Sequence, residues 1–189
     1  MNDLIFKKLG DFSKIIKGKN PTLLKDSGAD LLPYLSAKYL RGIADAEFAS
    51  RVDKKSVPVE EGDIVIICDG SNSGEIFSGS RGILSSTMGK LVHDETINVE
   101  YLAYFLEHTV VDLAKEKTGT AIPHLDIKSL LNKDIYLPDI VEQKRIAGIL
   151  KNTLSEIEKA KENIEKNLNE METYFFKNLL SIMLNSEEV

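Results

Sequence analysis

The feature that most constrains this chain lies in its C-terminal third, where Leu150, Leu154, Ile157, Ile164, Leu168, Met171 and Phe175 recur mostly three or four residues apart. This is a heptad seam, with Lys161 as its one polar interruption, and such a period holds an apolar stripe on one side of an α-helix. No Pro follows Pro138 and no Gly follows Gly148, so a single helix of about 40 residues, about 60 Å long, is predicted. A lone helix of this kind leaves its stripe in water. Covering the stripe takes a partner, or the helix must fold back on its own domain.

The region before Pro138 reads differently. Glu60-Glu61-Gly62-Asp63 forms a turn, Ile64-Val65-Ile66-Ile67-Cys68 a buried β-branched strand, and Asp69-Gly70-Ser71-Asn72-Ser73-Gly74 a polar hairpin turn. Further strands are predicted at Ile76-Phe77 and Gly82-Ile83-Leu84, with Gly79 and Gly89 as turns. Helical spacing appears at residues 98–115, where Val99, Leu102, Ala103, Leu106, Val110 and Leu113 share a face and Asn98 can cap the start. A loop at Thr118-Gly119-Thr120-Ala121-Ile122-Pro123-His124 leads to a short helix at residues 126–131 and a strand at residues 134–137, which Pro138 stops. The expectation is an α+β chain with a mainly β domain at residues 1–138 and a long helix at residues 139–185.

Neither Ile64 to Cys68 nor Leu102 to Leu106 approaches the roughly 20 apolar residues needed to span a bilayer. The first ten residues mix charges with short apolar pieces, unlike a signal peptide, so a cytoplasmic protein with no membrane partner is expected. Cys68 is the only cysteine and ends an apolar run, which makes it a buried structural thiol and excludes an internal disulfide or a cysteine-based zinc cluster. The net charge of −6 argues against nucleic acid as a partner, yet it is unevenly spread. Residues 1–59 carry eleven Lys and Arg against seven Asp and Glu, whereas residues 138–189 carry seven against ten.

Catalytic patterns are not found. His93, His108 and His124 have no metal-ligand spacing among them. The Asp69–Gly74 turn lacks the Lys-Ser/Thr end of a phosphate-binding P-loop. Asn20-Pro21-Thr22-Leu23 lacks the second Pro and the aromatic residue of the amino-methyltransferase motif. No cofactor, metal or catalytic residue is expected.

A series of short blocks runs in order through nearly the whole chain. They are Leu9-Gly10-Asp11 with Lys17-Gly18-Lys19, Leu32-Pro33-Tyr34-Leu35-Ser36, Gly62-Asp63-Ile64 with Asp69-Gly70, Ser85-Ser86-Thr87 and Tyr101 to Leu106. Gly119-Thr120-Ala121-Ile122-Pro123-His124-Leu125 and then Leu137-Pro138 through Glu142-Gln143-Lys144-Arg145-Ile146-Ala147 complete the series. In this order the blocks resemble one repeat of the specificity subunit of type I restriction-modification enzymes. The resemblance implies a target-recognition domain followed by the family's spacer helix, with methyl transfer and cleavage left to partner subunits. Full-length subunits of that family hold two repeats, each reading half of a split site, with their helices paired as an antiparallel coiled coil. A one-repeat, half-length chain is then expected to homodimerise through Leu150, Leu154, Ile157, Ile164, Leu168, Met171 and Phe175. Such a dimer reads an interrupted palindrome in double-stranded DNA and docks modification subunits, with a restriction subunit as a further partner.

Base readout needs polar side chains on loops, and phosphate contacts need cations. Lys14, Lys17, Lys19, Lys38 and Arg81 are the candidates for phosphate, and Arg41, Ser71, Asn72, Ser73 and His124 those for base edges. The competing reading is a coiled-coil adaptor that binds only proteins, which the acidic charge favours.

Overall fold

The structure, a computed structural model, describes residues 5–78, 80–115 and 124–185, and the side chains of all of these except 111–115 and 180–185. In chain order the elements are β1 (Phe6–Lys8), a 3-10 turn (Leu9–Asp11), β2 (Ser13–Lys17), β3 (Leu23–Leu24), β4 (Leu31–Leu35), α1 (Ala37–Leu40), β5 (Phe48–Ser50) and β6 (Pro58–Val59). There follow β7 (Ile64–Ile67), β8 (Ile76–Ser78), β9 (Gly82–Leu84), β10 (Met88–His93), α2 (Val99–Lys115), α3 (Ile127–Leu131), β11 (Asp134–Tyr136) and α4 (Ile140–Asn185). The α+β class and the long C-terminal helix agree with the sequence reading.

The strand β7 organises the sheets. All four of its residues are buried, and side chains alternate across a strand. Ile64 and Ile66 therefore enter one core with Leu91, Leu102, Leu106, Leu130 and Ile135, while Val65 and Ile67 enter a second with Leu35, Val59, Leu84 and Met88. An uninterrupted β-branched run is what a strand covered on both faces requires. β7 belongs to a four-stranded sheet of order β2-β10-β7-β8, and all its neighbours pair antiparallel. A five-stranded sheet of order β3-β5-β4-β9-β6 holds the parallel pair β4–β9, with Pro58 on the edge strand β6, where a residue lacking an N–H is tolerated. β1 pairs with β11.

Gly89, expected as a turn, lies inside β10, opposite Lys17 of β2 and Ile66 of β7. A Cβ there would come within 2.5 Å of Ile15 Cγ2 and 2.9 Å of Cys68 Sγ, so this glycine marks close packing and not a reversal. Gly79 and the Gly119–Pro123 block lie outside the described residues. Asn98 caps α2 through its side chain, which accepts from the Tyr101 N–H at 3.0 Å, and Leu102, Leu106 and Val110 are buried as their spacing predicts. Cys68 is buried, and burial pushes its thiol up to about 11, in keeping with a structural role.

Contacts divide the chain into Met1–Ala147 and Gly148–Val189. The division falls past Pro138, where the sequence places the boundary, because the first turns of α4 carry the wholly buried Gln143 and Ala147. Gln143 accepts from the Asn98 N–H at 2.7 Å and donates to the carbonyls of Thr96 at 2.9 Å and Pro138 at 2.8 Å. A buried amide is tolerable because both its ends are satisfied. In the second unit every described side chain from Ile149 to Leu179 is exposed.

Candidate nucleic-acid interface

The turn between β7 and β8 is built by two glycines. Gly70 and Gly74 have φ of 114° and 102°, a region that Gly enters without penalty. The Ser73 N–H donates to the Gly70 carbonyl at 3.0 Å, and the Gly74 N–H returns to the Ile67 carbonyl at 2.7 Å. This is the polar hairpin turn that the sequence predicts. Ser71 and Asn72 are exposed at its tip, where the Ser71 hydroxyl donates to Asn72 Oδ1 at 3.0 Å.

A carboxylate stands at each foot of the turn. Asp69 accepts from Lys17 Nζ at 2.6 Å and from His124 Nδ1 at 2.8 Å. Lys17 ends β2, and His124 arrives through a bridge to Asp69 and a 2.8 Å bond from the Leu125 N–H to the Cys68 carbonyl. Glu75 accepts both arms of the Arg41 fork, one of them at 3.0 Å from Nε. Arg41 is the C-cap of α1, whose start is capped by the Ser36 hydroxyl. Partial burial pushes the Asp69 carboxyl up, but the bonds from Lys17 and His124 outweigh it and hold it below the usual carboxylate range. The bidentate hydrogen bond from Arg41 likewise lowers Glu75.

The surrounding backbone is tightly fitted. A Cβ on Gly18 would lie 2.0 Å from the Ser85 carbonyl oxygen, so the chain just beyond Lys17 has room only for glycine. Ser85 Oγ and Thr87 Oγ1 are 2.9 Å apart, the Ser86 N–H donates to Tyr34 Oη at 3.2 Å, and the Cys68 N–H donates to the Thr87 carbonyl at 2.8 Å. The blocks around Lys17, Tyr34, Asp69, Ser85 and His124 thus interlock around the foot of the turn.

The structure places Lys17, Arg41, Ser71, Asn72, Ser73 and His124 on or against the 69–75 turn. Lys19 lies just beyond Gly18, and Lys38 sits on α1, both exposed. Lys14 pairs with Val92, at the opposite end of β2 from the Lys17–Gly89 pair. Arg81 is held by Glu60 at 3.2 Å, a carboxylate that it shares with Arg51 at 2.7 Å. Neither Lys14 nor Arg81 joins the turn. The sequence reading named no role for Asp69 or Glu75, although a carboxylate on each side of a Gly/Ser/Asn turn is visible in the chain. Chemically the cluster offers hydroxyl and amide groups suited to base edges, flanked by cations suited to phosphate. Among the described residues no helix is long and apolar enough to cross a membrane.

The signature of a family described as the type I restriction modification DNA specificity domain matches residues 1–170. Over 145 residues the chain is 45% identical to the type I restriction enzyme MjaVIII specificity subunit of Methanocaldococcus jannaschii, and the match takes in 76% of this chain. It spans only 34% of that relative's length. Solved structures that are similar at 20% identity include two S subunits. The HsdS subunit from Thermoanaerobacter tengcongensis has a TM-score of 0.65 over 82% of this chain and 38% of its own. The S subunit of a type I restriction-modification system from M. genitalium has a TM-score of 0.59 over 84% and 41%. At that identity the likeness establishes the fold.

Proposed function

Because this chain belongs to the type I restriction-modification DNA specificity family, we propose that Met1–Ala147 reads one half of an interrupted DNA site while α4 pairs with a second copy. The observation that carries the DNA reading is the 69–75 turn, with its exposed Ser71–Asn72 tip between cations supplied by β2 and α1. Such a tip has the donors and acceptors that base edges require, and the neighbouring cations fix its register on the phosphates. The exposed stripe on α4 supports the pairing. An antiparallel coiled coil of two copies has two-fold symmetry, so its target is an interrupted palindrome.

In this reading the chain is non-catalytic and acts in the cytoplasm. Modification subunits dock on it and carry out methyl transfer, and a restriction subunit carries out cleavage. The acidic remainder of the chain opposes DNA, so the chain alone binds weakly and its partner subunits supply the rest. Nanomolar binding by the isolated chain at physiological salt contradicts that part. The adaptor reading, favoured by the net charge of −6, predicts no DNA preference at all. Selection from a pool of randomised duplexes at low salt separates the two. Enrichment of an interrupted palindrome supports DNA recognition, and a pool that stays random supports the adaptor.

A further inference from the structure

Three of the groups named as DNA contacts are already engaged by carboxylates of the same turn. Lys17 is 52 residues from Asp69 in sequence, His124 is 55 residues from Asp69, and Arg41 is 34 residues from Glu75, so separate elements send basic side chains to one short loop. Exposed ion pairs of this kind add little to folding stability. The side chains stay within reach of solvent, at 42% exposure for Lys17, 30% for Asp69, 27% for Arg41 and 34% for Glu75. What the pairs change is the field at the turn. A cation matched to a carboxylate offers much less attraction to a passing phosphate, and an attraction shared by every sequence is what lowers discrimination.

We infer that Asp69 and Glu75 are specificity-determining positioning residues, which hold the 69–75 turn in one shape and keep Lys17, His124 and Arg41 from phosphates until base contacts at a matching site repay the exchange. This rests on the DNA-recognition reading above. Neither carboxylate needs to touch DNA. Each acts through the cation it holds.

The test measures binding of the full chain to a random-sequence duplex and to the duplex that the wild type selects, across a salt series. Glu75→Gln and Asp69→Asn are made in separate proteins, so that misfolding of one leaves the other informative, and circular dichroism checks each fold. Each variant is expected to bind the random duplex about fivefold tighter at 0.15 M salt, with the slope of log K against log salt steeper by about 0.9 per released cation. Preference for the selected duplex falls by a similar factor. Adding Arg41→Gln to Glu75→Gln cancels the gain and the extra slope, which a merely structural role for Glu75 does not predict. If the variants match the wild type in affinity and slope while the wild type still prefers its duplex, the inference is overturned and the DNA reading stands. If the wild type prefers no duplex, the DNA reading falls and the inference falls with it.

Discussion

The two units of this chain treat the same residue types in opposite ways. In Met1–Ala147, Leu102 and Leu106 are at most 1% exposed, whereas in the second unit Leu154 is 46% exposed and Leu168 55%. Burying a Leu fully stabilises by about 1.5–3 kcal/mol. The first unit realises that gain within itself. Along the stripe the same gain is available only when a second surface covers it. The change occurs inside one helix, since Gln143 and Ala147 of α4 are core residues while every described side chain from Ile149 onward is exposed. A continuous helix therefore serves as a core element over its first turns and leaves its apolar side chains exposed beyond them.

Leu102→Ala should be the most costly single change, removing about 3–5 kcal/mol from the stability of the full chain in chemical denaturation. Leu168→Ala should leave the unfolding of the globular unit unchanged and weaken only self-association. Equal losses from the two would erase the distinction between the units. Gln143→Leu sharpens the comparison at the point where α4 belongs to the core, because it leaves the Asn98 N–H and the Thr96 and Pro138 carbonyls without their partner. A loss of about 2–3 kcal/mol is expected in the same assay, and no loss would mean that the knot around Gln143 is dispensable.

Acid should act on the turn more gently. The folded Asp69 carboxyl lies below its ordinary value of 3.8, so its contacts contribute fully above about pH 4 and are lost as pH falls through the depressed value. The unfolding midpoint of Asp69→Asn should thus vary less with pH below about 4 than that of the wild type. Equal acid sensitivity would mean that the Lys17 and His124 contacts contribute nothing to the folded state. The smallest effect is expected at the exposed Glu142–Arg145 pair, where Glu142→Gln should leave the thermal midpoint in place.

Elements with a long or uninterrupted pattern are legible in the sequence. The four-residue apolar run of β7, the spacing and cap of α2, and the seam of α4 each repeat one physical signal over enough residues to be read. The short strands β3, β5 and β6, of two or three residues each, carry no period and exist because neighbours in the sheet pair with them. Gly89 misled because a glycine that permits close packing and one that permits a turn look alike in sequence. Polar loop chemistry pointed to Ser71, Asn72 and Ser73. The roles of Asp69 and Glu75 depend on basic side chains 34 to 55 residues away, a proximity that only the fold creates.

The most direct test of the proposed pairing is the solution mass of the purified chain by light scattering, beside a Leu154→Asp/Leu168→Asp variant. The account predicts a dimer of twice 21.1 kDa that the two aspartates split into folded monomers. A wild-type chain that is already monomeric, with a mass that the substitutions leave unchanged, would contradict it.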